Sequence, residues 1–305
     1  MPGSLIESEL IADRTQSSPF FAGDFSDTVS NIGRIGIRQS LSEQWKAEAE
    51  FTYRDNDRDF QNGFRSFFFI AAPSSQSRVT RSINPRLVGT LPFRGQNATL
   101  TIGSDYEDTG YTLVSQLGTQ TLEQRIVAAF AQTIVPLTEK VTATGGLRRA
   151  RVNNDIVSAP AFGETEAGDI DDTVSAFSAG IVYKPVNNVK LFARVDENYR
   201  FATVEEHIDP TFIYPVPEPL GLDTQTGLSK EVGVQLTADS AMLKISAYRI
   251  DLDNEIIFDA AAFSSTNLDE TRREGFTVSG NWSPTSGVTL SGAYSYVAAE
   301  IPAGS

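Results

Sequence analysis

The segment "DLDNEIIFDAAAFSSTNLDETRREGF", residues 251–276, concentrates side chains that could bind a metal ion or act as acids and bases. Seven carboxylates flank the pair Arg272 and Arg273: Asp251, Asp253, Glu255, Asp259, Asp269, Glu270 and Glu274. A calcium loop needs a glycine at its sixth position and a closing glutamate at its twelfth, and "DLDNE" lacks that glycine. Ion pairing among these charges is therefore favoured over a metal site.

A second acidic stretch, "DNDRDF", places Asp55, Asp57 and Asp59 at alternate positions, like the start of a calcium loop. Phe60 stands where the glycine is needed, and Ser66 stands where the closing glutamate is needed. We therefore expect no metal site from this stretch.

Catalytic chemistry has few candidates, because His207 is the single histidine and the chain has no cysteine. A serine-histidine-aspartate arrangement would have to form around His207 in a polar segment, so we predict no enzyme and no cofactor. Haem ligation by His207 is a sharper alternative. A solvated loop side chain is the interpretation that the sequence favours.

Bulk properties exclude two further classes. A net charge of −14 and a pI near 4.6 argue against a nucleic-acid partner, since such binding depends on Lys and Arg. No run approaches the roughly 20 apolar residues of a membrane helix. A membrane β-barrel stays open, because its strands alternate between apolar and polar residues.

Period-2 alternation dominates the chain. In residues 45–54 one face holds Trp45, Ala47, Ala49, Phe51 and Tyr53, and the other holds Lys46, Glu48, Glu50, Thr52 and Arg54. Similar strands are predicted at 98–107, 140–150, 175–184, 189–200 and 288–296. Alternation of this kind is typical of half-buried or lipid-facing strands.

The connections between these strands alternate in length. Short turns are predicted at 39–44, 92–96, 135–140, 184–188, 237–241 and 283–287, and long polar segments near 54–80, 107–122, 152–174, 201–227 and 253–269. Outer-membrane barrels have short periplasmic turns and long extracellular loops. The pattern predicts about 12 meandering strands, with an ordinary soluble β protein as the alternative.

Aromatic residues support the barrel, since membrane barrels have aromatic girdles at both interfaces. Trp45, Tyr183 and Trp282 lie beside short turns, and Tyr53, Tyr106 and Tyr199 lie at the other strand ends. The charged segment then joins two strands at the extracellular rim. On the second strand we expect Arg273, Gly275, Thr277, Ser279 and Asn281 to face the lumen, and Phe276, Val278 and Trp282 to face lipid.

Three segments resemble motifs of the barrel domain of TonB-dependent outer-membrane receptors. "KLFARVDENYRFATVEE" resembles the family's aromatic-Arg-x-Pro-Thr-x-x-Glu motif, with Ala202 in place of the proline. The matching residues in the three segments are Tyr199, Arg200, Thr203 and Glu206, then Leu222, Glu231 and Gly233, then Asn254, Glu255, Ile256, Asn267, Arg273 and Gly275. Thr224 and Gln225 stand at the family's Pro-Glu positions.

The resemblance implies a transmembrane antiparallel β-barrel in the outer membrane of a Gram-negative cell. Residues 1–305 would form a partial barrel of about 12 strands out of the 22 of the family's transporters, without the N-terminal plug domain or the terminal strands. The implied partners are the TonB complex, acting through the plug, a small-molecule substrate and outer-membrane lipid. The complete receptor would be a monomer.

The resemblance further implies active uptake of a metal chelate, with a ferric siderophore as the expected substrate. We expect the lumen and substrate path to include Arg148, Arg200, Arg273, Glu231, Asn254 and Glu255. Acidic loops would repel an anionic chelate unless arginines such as Arg200 or Arg273 redirect the field, so a neutral or cationic ligand fits equally well. A complete small passive porin and a soluble β-sheet binding module are the alternatives.

Overall fold

The computed structural model of the protein describes residues 7–16, 23–61, 64–65, 69–70, 73–208, 221–259 and 264–302. The elements are one α-helix, α1 (Glu7–Ala12), one 3-10 helix (Val204–His207) and the strands β1 (Phe25–Ser40), β2 (Trp45–Gln61), β3 (Phe64–Arg65), β4 (Phe69–Ile70), β5 (Pro73–Ile83), β6 (Arg86–Phe93), β7 (Gln96–Ser115), β8 (Gly118–Pro136), β9 (Val141–Pro160), β10 (Glu166–Val186), β11 (Val189–Arg200), β12 (Gln225–Ala238), β13 (Ala241–Asp259), β14 (Ser264–Thr285) and β15 (Val288–Glu300). Over these ranges, no helix has the length and apolarity to cross a membrane.

The strands form one antiparallel meander in sequence order from β1 to β15, with β3 and β4 as a separate small hairpin. β5 and β6 together form a single pass, because both lie between β2 and β7. The break falls at Asn84 and Pro85, since proline has no backbone N–H to donate to a ladder. Within the described ranges the sheet therefore makes twelve passes, which confirms the predicted number of strands.

The six short turns lie where the sequence predicts them. Residues 187–188, 239–240 and 286–287 each join two long strands. Between β6 and β7, Arg94 and Gly95 both have positive φ, 50° and 77°. A two-residue hairpin loop with positive φ at both positions is a type I′ turn, whose twist matches that of the flanking strands.

The prediction of long loops at 107–122, 152–174 and 253–269 is wrong. β7 continues to Ser115 and β8 begins at Gly118, while β9 to β10 and β13 to β14 are joined by only a few residues. A strand does not need to end at the membrane surface, because its ladder satisfies the backbone in water as well as in lipid. The segments at 54–80 and 201–227 retain longer connections, with β2 ending at Gln61 and β12 beginning at Gln225.

The alternating faces have different surroundings. Apolar side chains on one face remain open, including Ile35 at 67%, Leu147 at 70% and Val232 at 58% exposure. Phe276 on that face contacts Tyr294 and Tyr296, with ring centroids 5.9 Å apart in each pair. No described element covers this face, which we call the outward face. An exposed apolar band of this kind is typical of a surface that contacts hydrocarbon.

The opposite, inward face curves around the 3-10 helix. This helix contacts β7, β8 and β14, and β8 and β14 are separated by five other strands in the sheet order. Neighbouring strands lie roughly 4.8 Å apart, so a single turn of helix reaches both only if the sheet curls around it. The sheet is thus the wall of a partial barrel with residues 201–208 inside it.

We expect Ile102→Arg, on the outward face, to lower the free energy of unfolding in lipid vesicles by about 2–4 kcal/mol, because an arginine near the bilayer midplane must leave water. Thr101→Arg is the matched control, since its side chain faces inward. Denaturant titration with gel mobility of unheated samples measures both changes. Equal losses for the two variants would contradict the assignment of faces.

Candidate functional site

Where β7, β8 and β9 extend beyond the outward apolar band, which we call the membrane band, their inward face carries an apolar cluster that packs against the segment 201–208. Tyr111, Leu113, Leu122 and Ile156 form a buried cluster with Val204 and Ile208. On the same strands, charged residues such as Arg125 and Arg151 point outward, where they pair with carboxylates. Apolar side chains therefore face outward in the membrane band, and they face inward above it.

Arg200 and Glu206 hold the start of this segment. Arg200 Nη1 lies 2.9 Å and 2.7 Å from the two carboxylate oxygens of Glu206, and Nη2 donates to the Ile256 carbonyl at 3.1 Å. The Thr203 amide donates to Glu206 Oε2 at 2.8 Å. In a capping box the N-cap amide donates in the same way to the side chain of the third helical residue. Burial would raise the pKa of Glu206, but the hydrogen bonds from Arg200 and Thr203 hold that pKa below its ordinary value.

His207 is buried, with 1% of its surface exposed, so the expectation of a solvated loop histidine is wrong. It ends the 3-10 helix that packs against the inward cluster through Val204. Burial of that helix removes the histidine from solvent despite the polar sequence around it. The haem-ligand alternative for His207 stays a prediction, and the part of the chain that the structure describes has no group of three or more metal-binding side chains.

Arg148 lies on the inward face of β9. Its Nη1 is 2.5 Å from Asp105 Oδ2, its Nε donates to the Tyr199 hydroxyl at 2.6 Å, and its guanidinium carbon lies 5.6 Å from the Phe130 ring centroid. Tyr199 therefore faces inward and packs with Phe201 at 5.3 Å. It is not an outward girdle residue, because β11 ends at Arg200 and its last residues turn towards residues 201–208.

Arg273, Glu255 and Asn254 meet at the upper ends of β13 and β14. Arg273 Nη2 lies 2.6 Å from Glu255 Oε1, and Thr271 donates to the other carboxylate oxygen at 2.5 Å. Asn254 has a φ of 55°, a left-handed conformation that asparagine tolerates better than most residues. This local change of direction allows Glu255 to reach the inward Arg273.

A small hydrogen-bond network holds the entry to β12 at the same place. Asn267 Nδ2 donates to the carbonyls of Asn254 and Asp223, and its Oδ1 accepts from the Asp223 amide. Gln225 Oε1 accepts from the Ile256 amide at 3.2 Å. Gln225 thus supplies a side-chain acceptor at a position where the family motif has glutamate.

Glu231 is the most weakly engaged of the expected lumen residues. It lies on β12 opposite Arg194, whose Nε is 3.9 Å from Glu231 and 2.6 Å from Asp196. Of the six expected residues, the structure brings Asn254, Glu255, Arg273 and Arg200 to one end of the wall. Arg148 and Glu231 lie lower on the wall, each with its own partner.

Lower on the wall, a polar groove of about 560 Å³ includes Arg38, Glu48, Asn84, Arg86 and Asp105. Glu48 accepts from Arg38 at 2.7 Å and from Arg86 at 2.8 Å. Asn84 donates to Asp105 at 2.8 Å. The inward face in the membrane band is therefore lined by paired charges and hydrogen-bonding groups.

The charged segment that flanks Arg272 forms ion pairs, as the sequence predicts. On the outward rim, Arg272 Nε lies 2.8 Å from Asp251, and Arg249 lies 2.9 Å from Asp251 and 3.3 Å from Glu274. Arg272 also lies 3.4 Å from Glu300. These carboxylates are therefore ion-pair partners of the rim arginines.

Polar groups that no sequence motif marks anchor residues 201–208. Gln124 Nε2 donates to Asn154 and to the Ala202 carbonyl, and all these atoms are buried. Arg78 Nη1 lies 2.8 Å from Glu205 across 127 residues of sequence. The alternation of polar and apolar residues continues beyond residue 107. It is the signal that places Gln124 and Asn154 on strands rather than in loops.

Arg200→Ala leaves Glu206 half-buried without its cation, so we expect the opening free energy of residues 203–208 to fall by about 1.5–3 kcal/mol. Amide hydrogen exchange of this segment measures the change. Arg194→Ala is the control on the same strand, because its exposed pair with Asp196 contributes about 0–1 kcal/mol. Unchanged exchange in Arg200→Ala would contradict the anchoring role.

The lowered pKa of Glu206 gives a second prediction. A carboxylate with a lowered folded pKa stabilises the fold above its unfolded pKa of about 4.3, and that stability is lost as pH falls through the folded pKa. Exchange protection of residues 203–208, corrected for intrinsic rates, should stay level from neutral pH to about pH 5 and fall below about pH 4. Glu206→Gln should lose this pH step, and a step that persists in it would assign the titration to another group.

A family model described as "TonB dependent receptor-like, beta-barrel" matches residues 7–305, and no curated protein sequence matches the chain. The fold is similar to that of the ferric citrate transporter FecA in its unliganded form, with a TM-score of 0.77 and 14% identity over 98% of this chain and 46% of that one. The copper transporter OprC gives a TM-score of 0.75 and 16% identity over 90% and 48%. The siderophore receptor PiuA from Acinetobacter baumannii gives 0.74 and 14% over 91% and 47%. This chain thus spans about half of each solved receptor, and its fold is a partial transmembrane β-barrel. The chain belongs to the family of TonB-dependent receptor β-barrels, whose members are receptors for small molecules rather than enzymes.

Proposed function

We propose that the protein supplies barrel wall to an outer-membrane receptor that actively imports a metal chelate, with a ferric siderophore as the substrate. The observation on which this depends is the division of the wall into two faces. In the membrane band the outward face is apolar and no described element covers it, while the inward face is polar there and holds an ordered segment above the band. A wall of this kind separates lipid from a solute path.

The proposed substrate class is supported by the similar solved receptors, which are described as a ferric citrate transporter, a copper transporter and a siderophore receptor. All three of these descriptions name a metal or a metal-chelating molecule. The geometry of this chain is compatible with such a substrate, because its inward face carries arginine, carboxylate and amide side chains that can form hydrogen bonds with it.

The proposed energy source is the TonB complex, which would act through a plug domain inside the barrel. Inward charges in the membrane band, such as Arg38, Glu48 and Arg86, are suited to hydrogen bonding with a polar domain in the lumen. Residues 201–208 lie above them, at the height where a ligand would enter. Outer-membrane lipid is the partner of the outward face.

The test is iron-dependent growth of a Gram-negative strain that lacks its own ferric-chelate receptors and expresses the receptor to which this wall belongs. We expect the protein in the outer-membrane fraction and growth on one ferric chelate only when TonB is present, because import against a gradient needs the proton motive force. Growth without TonB, together with solute flux in vesicle-swelling assays, would instead establish a passive channel. Purification as a stable monomer without detergent would reject both.

A further inference from the structure

Three arginines share the inward face of β2 and β5 near their loop ends: Arg54, Arg58 and Arg78. Arg78 lies directly opposite Tyr111 of β7, and Tyr111 belongs to the buried inward cluster. Arg78 also lies directly opposite Asn56 of β2. Residues opposite one another share a face, as do residues two apart on a strand, so Arg54 and Arg58 face inward with Arg78.

The spacing places these arginines within reach of a single small molecule. Arg54 and Arg58 are the diagonal neighbours of Arg78, at roughly 7–8 Å between backbone positions. Their long side chains can converge on the space between them. Like charges at this spacing repel, and an anion between them would relieve that repulsion.

The carboxylates near these arginines are too few to neutralise them. Only Arg78 has an ion pair within the described ranges, with Glu205. Arg58 donates to the Ser26 hydroxyl at 2.9 Å and lies 4.8 Å from the Phe60 ring centroid, and neither group is charged. Arg54 is exposed and forms no ion pair with the residues that the structure describes.

Arg78 retains an unused donor. Its Nε is buried and has no hydrogen-bond partner among the residues that the structure describes, although a buried guanidinium N–H without an acceptor is unfavourable. Glu205 reaches Nη1 from a segment 127 residues away in sequence. A carboxylate is thus already present at one corner of the cluster, and Arg78 Nε has no acceptor among the described residues.

The surrounding acidic groups do not cancel this excess. Asp55, Asp57 and Asp59 alternate with the arginines of β2 and therefore face outward. Glu50 is inward but pairs with Arg34 at 3.5 Å. Glu107, also inward, lies on β7 opposite Ser82, two strands from Arg54 and further from the loop end. By contrast, Arg148, Arg200 and Arg273 each have a carboxylate of their own.

We infer that Arg54, Arg58 and Arg78 form a binding site for an anionic metal chelate that presents carboxylate oxygens. This inference rests on the proposed function and specifies the charge of its substrate. Guanidinium groups bind carboxylates through charge-assisted hydrogen bonds. Glu205 occupies part of the site, and a bound chelate competes with it for Arg78.

The test is equilibrium dialysis of the full 305-residue chain in detergent micelles with two iron-labelled probes. Ferric citrate is the anionic probe, and a ferric tris-hydroxamate without net charge is the neutral one. We expect ferric citrate to bind more tightly, with an affinity that falls as salt is raised, since ions screen partly exposed charges. Arg54→Gln should weaken its binding about tenfold, and Arg54→Gln combined with Arg58→Gln about a hundredfold.

Two further variants make the test specific. Arg81→Gln is the matched control, because Arg81 lies on β5 but faces outward, 3.7 Å from Asp108, and its binding of ferric citrate should be unchanged. Glu205→Gln removes the competing carboxylate and should tighten ferric citrate binding several-fold. Gel mobility of unheated samples identifies folded variants, and the single exposed substitution Arg54→Gln keeps the test informative if the double variant does not fold.

The outcomes separate this inference from the proposed function. Binding of ferric citrate that does not change in Arg54→Gln, or that changes equally in Arg81→Gln, overturns the anion site. Binding of the neutral probe alone also overturns the anion site and leaves the chelate receptor standing. Binding of neither probe, together with TonB-independent growth, removes both proposals.

Discussion

A backbone amide in hydrocarbon has no water to bind, so every strand of this wall must satisfy its amides through its neighbours. The register is continuous over most of the length of the adjacent pairs from β1 to β15, although β10 pairs with β11 only from Ser178 onward. Backbone groups at the break near Pro85 are also paired, since the Ser104 amide donates to the Pro85 carbonyl and the Asn84 amide donates to the Glu50 backbone carbonyl. The same ladder fixes which side chains share a face, and hence which can meet lipid or substrate.

Alternation of period 2 serves two different environments on one strand. In the membrane band the apolar phase faces outward, as Ile102 does, whereas above the band Tyr111 and Leu113 face inward against residues 201–208. Strand geometry is unchanged between the two heights, and only the solvent changes from hydrocarbon to water. A polar outward face combined with an apolar inward face is what a soluble β structure requires, so the upper wall folds by ordinary burial. Residues 201–208 supply the other half of that small core.

The sequence was sufficient for the strands, the tight turns and the two faces, because these depend on local alternation and on turn residues such as Gly95. It was misleading where polar composition suggested loops, since charged residues at 123–125 and 149–155 still alternate and still pair. It could not supply pairings that depend on curvature. Arg200 and Glu206 are six residues apart and matched a known motif, whereas Arg78 and Glu205 meet only because the sheet curls. The burial of His207 has the same origin, since it depends on where the 3-10 helix is placed rather than on the residues beside it.

The net charge of −14 predicts little about the field that a substrate meets, because the strands sort charges by face. In "RDNDRD" the arginines at 54 and 58 face inward, while the aspartates at 55, 57 and 59 face outward. The outward carboxylates lie across the wall from an inward ligand, and those near water are screened over roughly 8–10 Å. Acidic composition therefore does not exclude an anionic substrate. Arg54 and Arg58 have no ion pair with a carboxylate of the described residues, whereas Arg200 and Arg273, the two expected to redirect the field, are each paired with a nearby glutamate.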